Sequence, residues 1–305
     1  MGLPNLIMVG IDYSYACMSA LKEAERLALH YGATLSVVNV LDQRLLDEHQ
    51  WDCPMIKEDL IEANRDLLAL TVRNELSKKI VSRPEFRVGH PFFELIGCAN
   101  DREADLLVLG SRGMSSGRQG QVGSVAKKCI RKASMPTLLV RRSHHGPFRK
   151  IVACVDFSET SRLATEHAVR IAHAEKASLE IVHVCRARAI NTTGFGSLEP
   201  ITPVLNHYQI VKAVGNELER FMDSLRESTS GLDVSTRILE GKRVGTMIAY
   251  HLESTGADLA VIGTRGRSAF KALLMGTNAE CLIEESPCSV LAIKPEGFGS
   301  DINGI

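Results

Sequence analysis

Short, nearly continuous apolar runs alternate along the chain with longer segments whose apolar residues recur at helical spacing. Leu6-Ile7-Met8-Val9-Gly10-Ile11, Thr34-Leu35-Ser36-Val37-Val38-Asn39-Val40 and Leu106-Leu107-Val108-Leu109-Gly110 are of the first kind. Their β-branched content and flanking turn residues predict strands. Between them, Ser19 to His30, Ile56 to Lys79 and Phe92 to Asp101 carry the three-and-four spacing of helices. Strands without polar alternation are buried on both faces, as in a parallel sheet covered by helices.

The pattern then repeats. Asn5 to Ser14 returns as Lys150-Ile151-Val152-Ala153-Cys154-Val155-Asp156-Phe157-Ser158, and Thr34 to Val40 as Ser178 to Val184, both at an offset of 144. Ala104-Asp105-Leu106 to Gly110 returns as Ala257-Asp258-Leu259 to Gly263 at an offset of 153, so the second copy carries an insertion. The expected architecture is α/β, with two tandem doubly wound domains, each a five-stranded parallel sheet with helices on both faces. The first spans residues 1–145, the second 146–295, and residues 296–305 are expected to be a flexible tail. The boundary lies in Arg141-Arg142-Ser143-His144-His145-Gly146-Pro147, polar and closed by a Gly-Pro breaker. His144 and His145 are either metal ligands or ordinary linker residues.

Composition narrows the function. Thirty-six basic side chains balance 36 acidic ones, split 19 and 17 up to His145 and 17 and 19 beyond it, so neither half is a polycation built to cover nucleic acid. No apolar run approaches the roughly 18 residues of a membrane span. The start, Met1-Gly2-Leu3-Pro4-Asn5, does not read as a secretion signal, so the expected location is cytoplasmic. The eight cysteines form no C-x-x-C pair and read as reduced, mostly core thiols. Cys53 and Cys185, beside long connectors, have oxidant sensing as the alternative.

Ligands of open α/β sheets bind beyond the carboxyl ends of the strands, and there the repeat carries chemistry. Gly110-Ser111-Arg112-Gly113 is followed after nine residues by Gly123-Ser124, and Gly263-Thr264-Arg265-Gly266 after nine residues by Gly276-Thr277. With 24 glycines in 305 residues, about 0.02 occurrences of G-x-x-G-x9-G-[S/T] are expected by chance. Glycines allow close backbone approach to a phosphate, and Ser124 and Thr277 each open a predicted helix whose N-terminal amides attract anions. Arg112, Arg118, Arg265, Lys271, Ser115 and Ser268 add cations and hydroxyls to these loops. The competing reading gives the glycines to loop turns and helix–sheet packing, and the arginines to solvent. Asp12 and Asp156, ending apolar strands, either accept hydrogen bonds from a sugar or base or belong to a helix N-cap with Ser14 or Ser158.

These residues resemble the ATP-binding branch of the universal stress proteins, and the resemblance covers both halves nearly end to end. It implies one ATP site per half, with Mg²⁺ held mainly by the phosphates rather than by protein ligands. Site one would comprise Asp12, Val40, Gly110, Arg112, Gly113, Gly123, Ser124 and Val125. Site two would comprise Asp156, Val184, Gly263, Arg265, Gly266, Gly276 and Thr277. It also implies that Thr137 to Val140 and Ser289 to Ala292 pair within one chain, as an intrachain pseudo-dimer, with a homodimer as a further possibility.

The expected function is a cytoplasmic stress-response protein that binds ATP and acts as a regulator or adaptor, with no catalytic residue assigned and a protein partner still to be identified. Two alternatives stay open: a slow ATP or AMP hydrolase, and a scaffold for a lipid, metal or protein in which nucleotide is structural or absent. There is no G-x-x-x-x-G-K-[S/T] and no G-x-G-x-x-G after the first strand. The two sites are expected to differ, because Arg131-Lys132 ends one phosphate helix and Glu284-Glu285 the other. The first should bind more tightly. Long connectors after the second strand of each half, Leu41 to Met55 with Trp51 and Arg186 to Leu205, either lid the sites, bind a second ligand or are plain surface loops.

Overall fold

In a computed structural model, residues 4–48, 54–113, 121–141, 146–186, 201–266 and 275–299 are described. The first repeat runs β1 (Leu6–Ile11), α1 (Tyr15–Tyr31), β2 (Thr34–Asp42), α2 (Gln43–Glu48), α3 (Pro54–Glu75), β3 (Ser82–Gly89), α4 (Pro91–Asp101), β4 (Leu106–Gly110), α5 (Ser124–Lys132) and β5 (Thr137–Val140). The second follows as β6 (Lys150–Val155), α6 (Glu159–Glu175), β7 (Ser178–Cys185), α7 (Ile201–Ser224), β8 (Val234–Glu240), α8 (Val244–Thr255), β9 (Leu259–Gly263), α9 (Thr277–Glu285) and β10 (Ser289–Ile293). Strand and helix alternate as the periodicity predicts. The connector from Leu41 to Met55 is more ordered than a loop reading suggests, since it contains α2 and the start of α3. Trp51 and Cys53 lie outside the described residues.

Two compact units emerge, one ending at Gly146 and the other covering Pro147–Cys288, with the chain from Ser289 onward grouped into the first. In the first unit the strands lie in the order β3-β2-β1-β4-β5-β10, parallel as far as β5. β10 then joins β5 antiparallel, with Val290 opposite Leu139 and Ala292 opposite Thr137. That is the pairing anticipated for Thr137 to Val140 and Ser289 to Ala292. The sequence repeat and the compact unit therefore end at different places, the last strand of the second repeat being paired with β5. In the second unit the parallel order is β9-β6-β7-β8.

Successive residues of a strand point to opposite faces, yet Ile7, Met8 and Val9 are all fully buried, as are Leu179, Ile181 and Val182 in the second unit. Both faces are covered, which fits the parallel sheet expected from unbroken apolar runs. The outer strands β3 and β8 are polar and partly exposed, and β3 contains Pro84, tolerated where no ladder bond is needed. Among the described residues, no helix is long and apolar enough to cross a membrane.

The Ala-Asp-Leu echo of the two repeats has a structural cause. Asp105 Oδ2 accepts hydrogen bonds from the amides of Asn5 (2.8 Å) and Leu6 (3.0 Å), and Asp258 Oδ2 from those of Arg149 (2.8 Å) and Lys150 (2.9 Å). Each carboxylate satisfies the start of the first strand of its unit, at the sheet end away from the glycine motif.

Candidate nucleotide site

In the first unit, β1 leads to β2 on one side and β4 leads to β5 on the other, so the strand order reverses between β1 and β4. Their carboxyl ends are the switch point where an open α/β sheet leaves a crevice. Asp12 follows β1, Gly110 ends β4, and α5 starts at Ser124. Asp156, Gly263 and Thr277 stand in the same relation to β6, β9 and α9.

The arm after β4 is held from three directions. Ser111 donates its amide to Val140 O (3.0 Å), Gly123 donates its own to Ser111 O (2.9 Å), and Ser14 Oγ donates to Arg112 O (3.0 Å). In the second unit Gly276 donates to Thr264 O (3.0 Å) and Ser158 Oγ to Arg265 O (3.4 Å). The same serines cap the following helices, Ser14 Oγ accepting from the Cys17 amide (3.3 Å) and Ser158 Oγ from the Ser161 amide (3.2 Å). A single hydroxyl thus ties a helix start to the glycine arm in the first unit, whereas the Ser158 hydroxyl lies closer to Asp156 Oδ1 (2.5 Å) than to Arg265 O.

The helix N-cap reading of the aspartates matches the hydrogen bonds found. Asp12 Oδ1 accepts from the Ser14 amide (3.1 Å) and Asp156 Oδ1 from the Ser158 amide (3.1 Å), an Asx turn feeding the N-cap serine. The other oxygen, Oδ2, faces the glycine arm: a Cβ on Gly113 would stand 2.6 Å from Asp12 Oδ2, and one on Gly266 2.3 Å from Asp156 Oδ2. The turn forces the next residue into the left-handed region, with Tyr13 at φ 62° and Phe157 at φ 59°. An aromatic residue rarely adopts that conformation, and in both units it is held there by the Asx turn.

The three glycines of each motif divide by what surrounds them. A Cβ on Gly110 would lie 2.7 Å from the backbone at Ala16 and Cys17, and one on Gly263 3.0–3.1 Å from Thr160, so these glycines let the N-terminus of a helix close onto a strand end. Gly113 and Gly266 make room for the aspartates. Gly123 and Gly276 are different. Their backbones are ordinary, at φ −60° and −68°. Among the described residues, a Cβ would meet nothing nearer than Gly113 N at 3.4 Å in the first and Thr264 O at 3.8 Å in the second. Both are helix N-caps, where Ser, Thr, Asp or Asn would supply a capping bond, and neither helix has one. Ser124 and Thr277, the first residues of these helices, are exposed, and Val125 is half-buried.

The residues beside the aspartates and on β2 and β7 differ between the units. Asn39, 4% exposed at the end of β2, donates Nδ2 to Ile11 O (3.0 Å), while its Oδ1 is buried without a hydrogen-bond partner among the described residues. Tyr13 Oη is likewise buried and unpartnered, and burial pushes its pKa up to about 12. In the second unit His183 takes the Asn39 position, with Nδ1 2.9 Å from Val155 O, and stacks on Phe157 at 4.5 Å. Val40 and Val184 follow these residues near the ends of β2 and β7. Arg112 is exposed and Arg265 half-buried. Ser115, Arg118, Ser268 and Lys271 lie outside the described residues.

Tyr13, Phe157, Asn39 and His183 were not singled out by the motif. Their signal was only that they sit at the repeat offset beside Asp12, Val40, Asp156 and Val184. The cysteines nearest the site are poor nucleophiles: Cys17, whose Sγ accepts the Asp12 amide at 3.3 Å, is raised to about 11 by burial, and buried Cys129 on α5 to about 12. Cys185 is also buried.

Known proteins share this arrangement of sequence and fold. The model of the universal stress protein family matches residues 5–141 and again 147–294. A universal stress protein of Mycolicibacterium smegmatis is 23% identical over 319 residues, covering 95% of this chain and 97% of its own. One from Bacillus subtilis is 28% identical over 151 residues, 48% of this chain and 99% of its own. Among solved structures, a universal stress protein from Archaeoglobus fulgidus has a similar fold, with a TM-score of 0.67 at 19% identity over 95% of this chain and 98% of that one. With the family matched once in each half, the chain belongs to the universal stress protein family as a tandem member.

Proposed function

We propose that this stress-response protein binds adenine nucleotide, ATP with its magnesium, at the two glycine arms, and that occupancy rather than turnover is its output, read by a protein partner in the cytoplasm. The observation that carries this reading is the pair of N-cap glycines. Gly123 and Gly276 sit where the described residues leave room for a methyl group and where a capping side chain would add a hydrogen bond. A bare backbone there suits a ligand that takes the open helix amides for itself, which is how phosphate binds at helix N-termini. The buried Asn39 Oδ1 and Tyr13 Oη fit the same reading in the first unit, since a polar ligand in the crevice would offer hydrogen bonds to them. Asp12 and Asp156 offer acceptors for a ribose, and Ser124 and Thr277 hydroxyls for phosphate. Magnesium would arrive with the phosphates and remain on them.

Titration calorimetry with ATP and magnesium on the wild-type chain, Gly123→Ala and Gly276→Ala tests the reading. Two sites per chain are expected, with one lost in each variant while the far-ultraviolet spectrum and melting temperature stay unchanged. A wild-type chain that neither binds ATP nor releases nucleotide on denaturation would overturn it.

A further inference from the structure

A helix that receives an anion at its N-terminus leaves carbonyls without intrahelical partners at the other end. In α5 two of these, Ile130 O and Arg131 O, accept hydrogen bonds from Lys294 Nζ, the second at 2.9 Å. Lys294 is only 7% exposed, and the ring of Phe298 lies 5.0 Å from its ammonium. Burying an ammonium costs free energy unless acceptors surround it, and here the negative end of α5 and an aromatic face do so. The lysine lies 164 residues from Ile130. It reaches α5 because β10 is paired with β5 and delivers the residue that follows Ile293.

We propose that Lys294 is a positioning residue for the first nucleotide site, so that the terminal strand of the second repeat completes the phosphate-binding helix of the first. The inference rests on the nucleotide reading of that site. Two effects act together. The two hydrogen bonds fix the last turn of a nine-residue helix, and so the direction in which its first amides point. The buried positive charge offsets the negative end of the helix dipole within the last turn and so holds that end, and with it the course of the short helix, in place. Both act on the phosphates of a ligand and not on its base. Arg141 holds the corresponding place after β5 in the first repeat, so a guanidinium is compatible with this position in the repeat.

The test uses the full chain carrying Gly276→Ala, so that only the first site is read, and compares Lys294→Met with Lys294→Arg. ATP should bind about three- to tenfold more weakly to the Met variant, with most of the loss recovered by Arg, while adenosine affinity stays constant. Equal weakening of ATP and adenosine would reduce Lys294 to a stability role, and unchanged ATP affinity would remove it from the site; either overturns the proposal. If the Met variant does not fold, hydrogen exchange on the wild-type chain decides. Amides from Cys129 to Ala133 and around Lys294 should be protected by ATP and not by adenosine, and no difference overturns it. A parent chain that binds no ATP at all defeats the nucleotide reading, and this inference with it.

Discussion

The two glycine sites have nearly the same backbone and opposite electrostatics. The bond that closes the arm is 2.9 Å from Gly123 to Ser111 and 3.0 Å from Gly276 to Thr264, and the aromatic residue after the aspartate is left-handed at φ 62° and 59°. Yet α5 carries Lys127, Lys128, Arg131 and Lys132 and no acid, whereas α9 carries Glu280, Glu284 and Glu285 and no base. Asn39 becomes His183, Tyr13 becomes Phe157, and Val125 becomes Asn278, whose Oδ1 lies 3.4 Å from Arg186 Nη2. Geometry has been kept where only a backbone can do the work. Charge has been free to diverge, and it favours an anionic ligand at the first site.

The largest expected effect tests the shared geometry. Gly123→Ala and Gly276→Ala should each weaken ATP at their own site at least about tenfold, or about 1.4 kcal/mol, without lowering thermal stability. A melting-temperature shift alongside the calorimetry would show that these glycines serve packing after all. Gly110→Ala should behave differently, since its methyl would collide with the backbone at Ala16 and destabilise the first unit.

A second comparison concerns α1 and α6. Glu23 in α1 is buried and paired with Arg26 at 2.7 Å, while the matching residue of α6 is His167, pushed down to about 4 by burial and by the charge of Arg170. Because the folded pKa lies below the unfolded value near 6.5, the unfolded chain takes up the proton first, and stability falls as pH drops from about 6.5 towards 4. Denaturant titrations at both ends of that window should differ by about 2 kcal/mol, and His167→Gln should flatten the difference. Persistence of the slope in that variant would assign it to other groups.

Smaller effects follow from the features that match. Asp105→Ala and Asp258→Ala each leave two strand-opening amides without their carboxylate. Each should cost about 1–2 kcal/mol in chemical denaturation while leaving ATP affinity alone. The smallest change probes charge at the second site: Glu284→Lys with Glu285→Lys should strengthen ATP there about threefold at low salt, the gain shrinking as salt is added. If the sites respond equally to salt in the wild type, the charge difference between α5 and α9 does not reach the ligand.

Much of this was open to reading in the sequence because it is local. The apolar runs, the offset of 144 that changes to 153, and the glycine spacing all lie within segments that fold as strand, turn or helix start. Even so, the motif did not say which glycines are packed against the protein's own residues and which are not. That required the neighbours of Gly110 at Ala16 and of Gly113 at Asp12, residues about a hundred positions away. The left-handed Tyr13 and Phe157 were equally hidden, since neither residue type favours that conformation and only the Asx turn imposes it.

By itself, then, the sequence determined that two α/β repeats exist and where each puts its aspartate, its glycine arm and the helix that follows the arm, because periodicity and turn chemistry act over a few residues. Tertiary structure alone decided that β10 pairs with β5, that Lys294 closes the end of α5, and that a Cβ at Gly123 or Gly276 would meet no described residue closer than 3.4 Å. Those outcomes depend on contacts between residues far apart in the chain, and no local pattern encodes which of them come within reach.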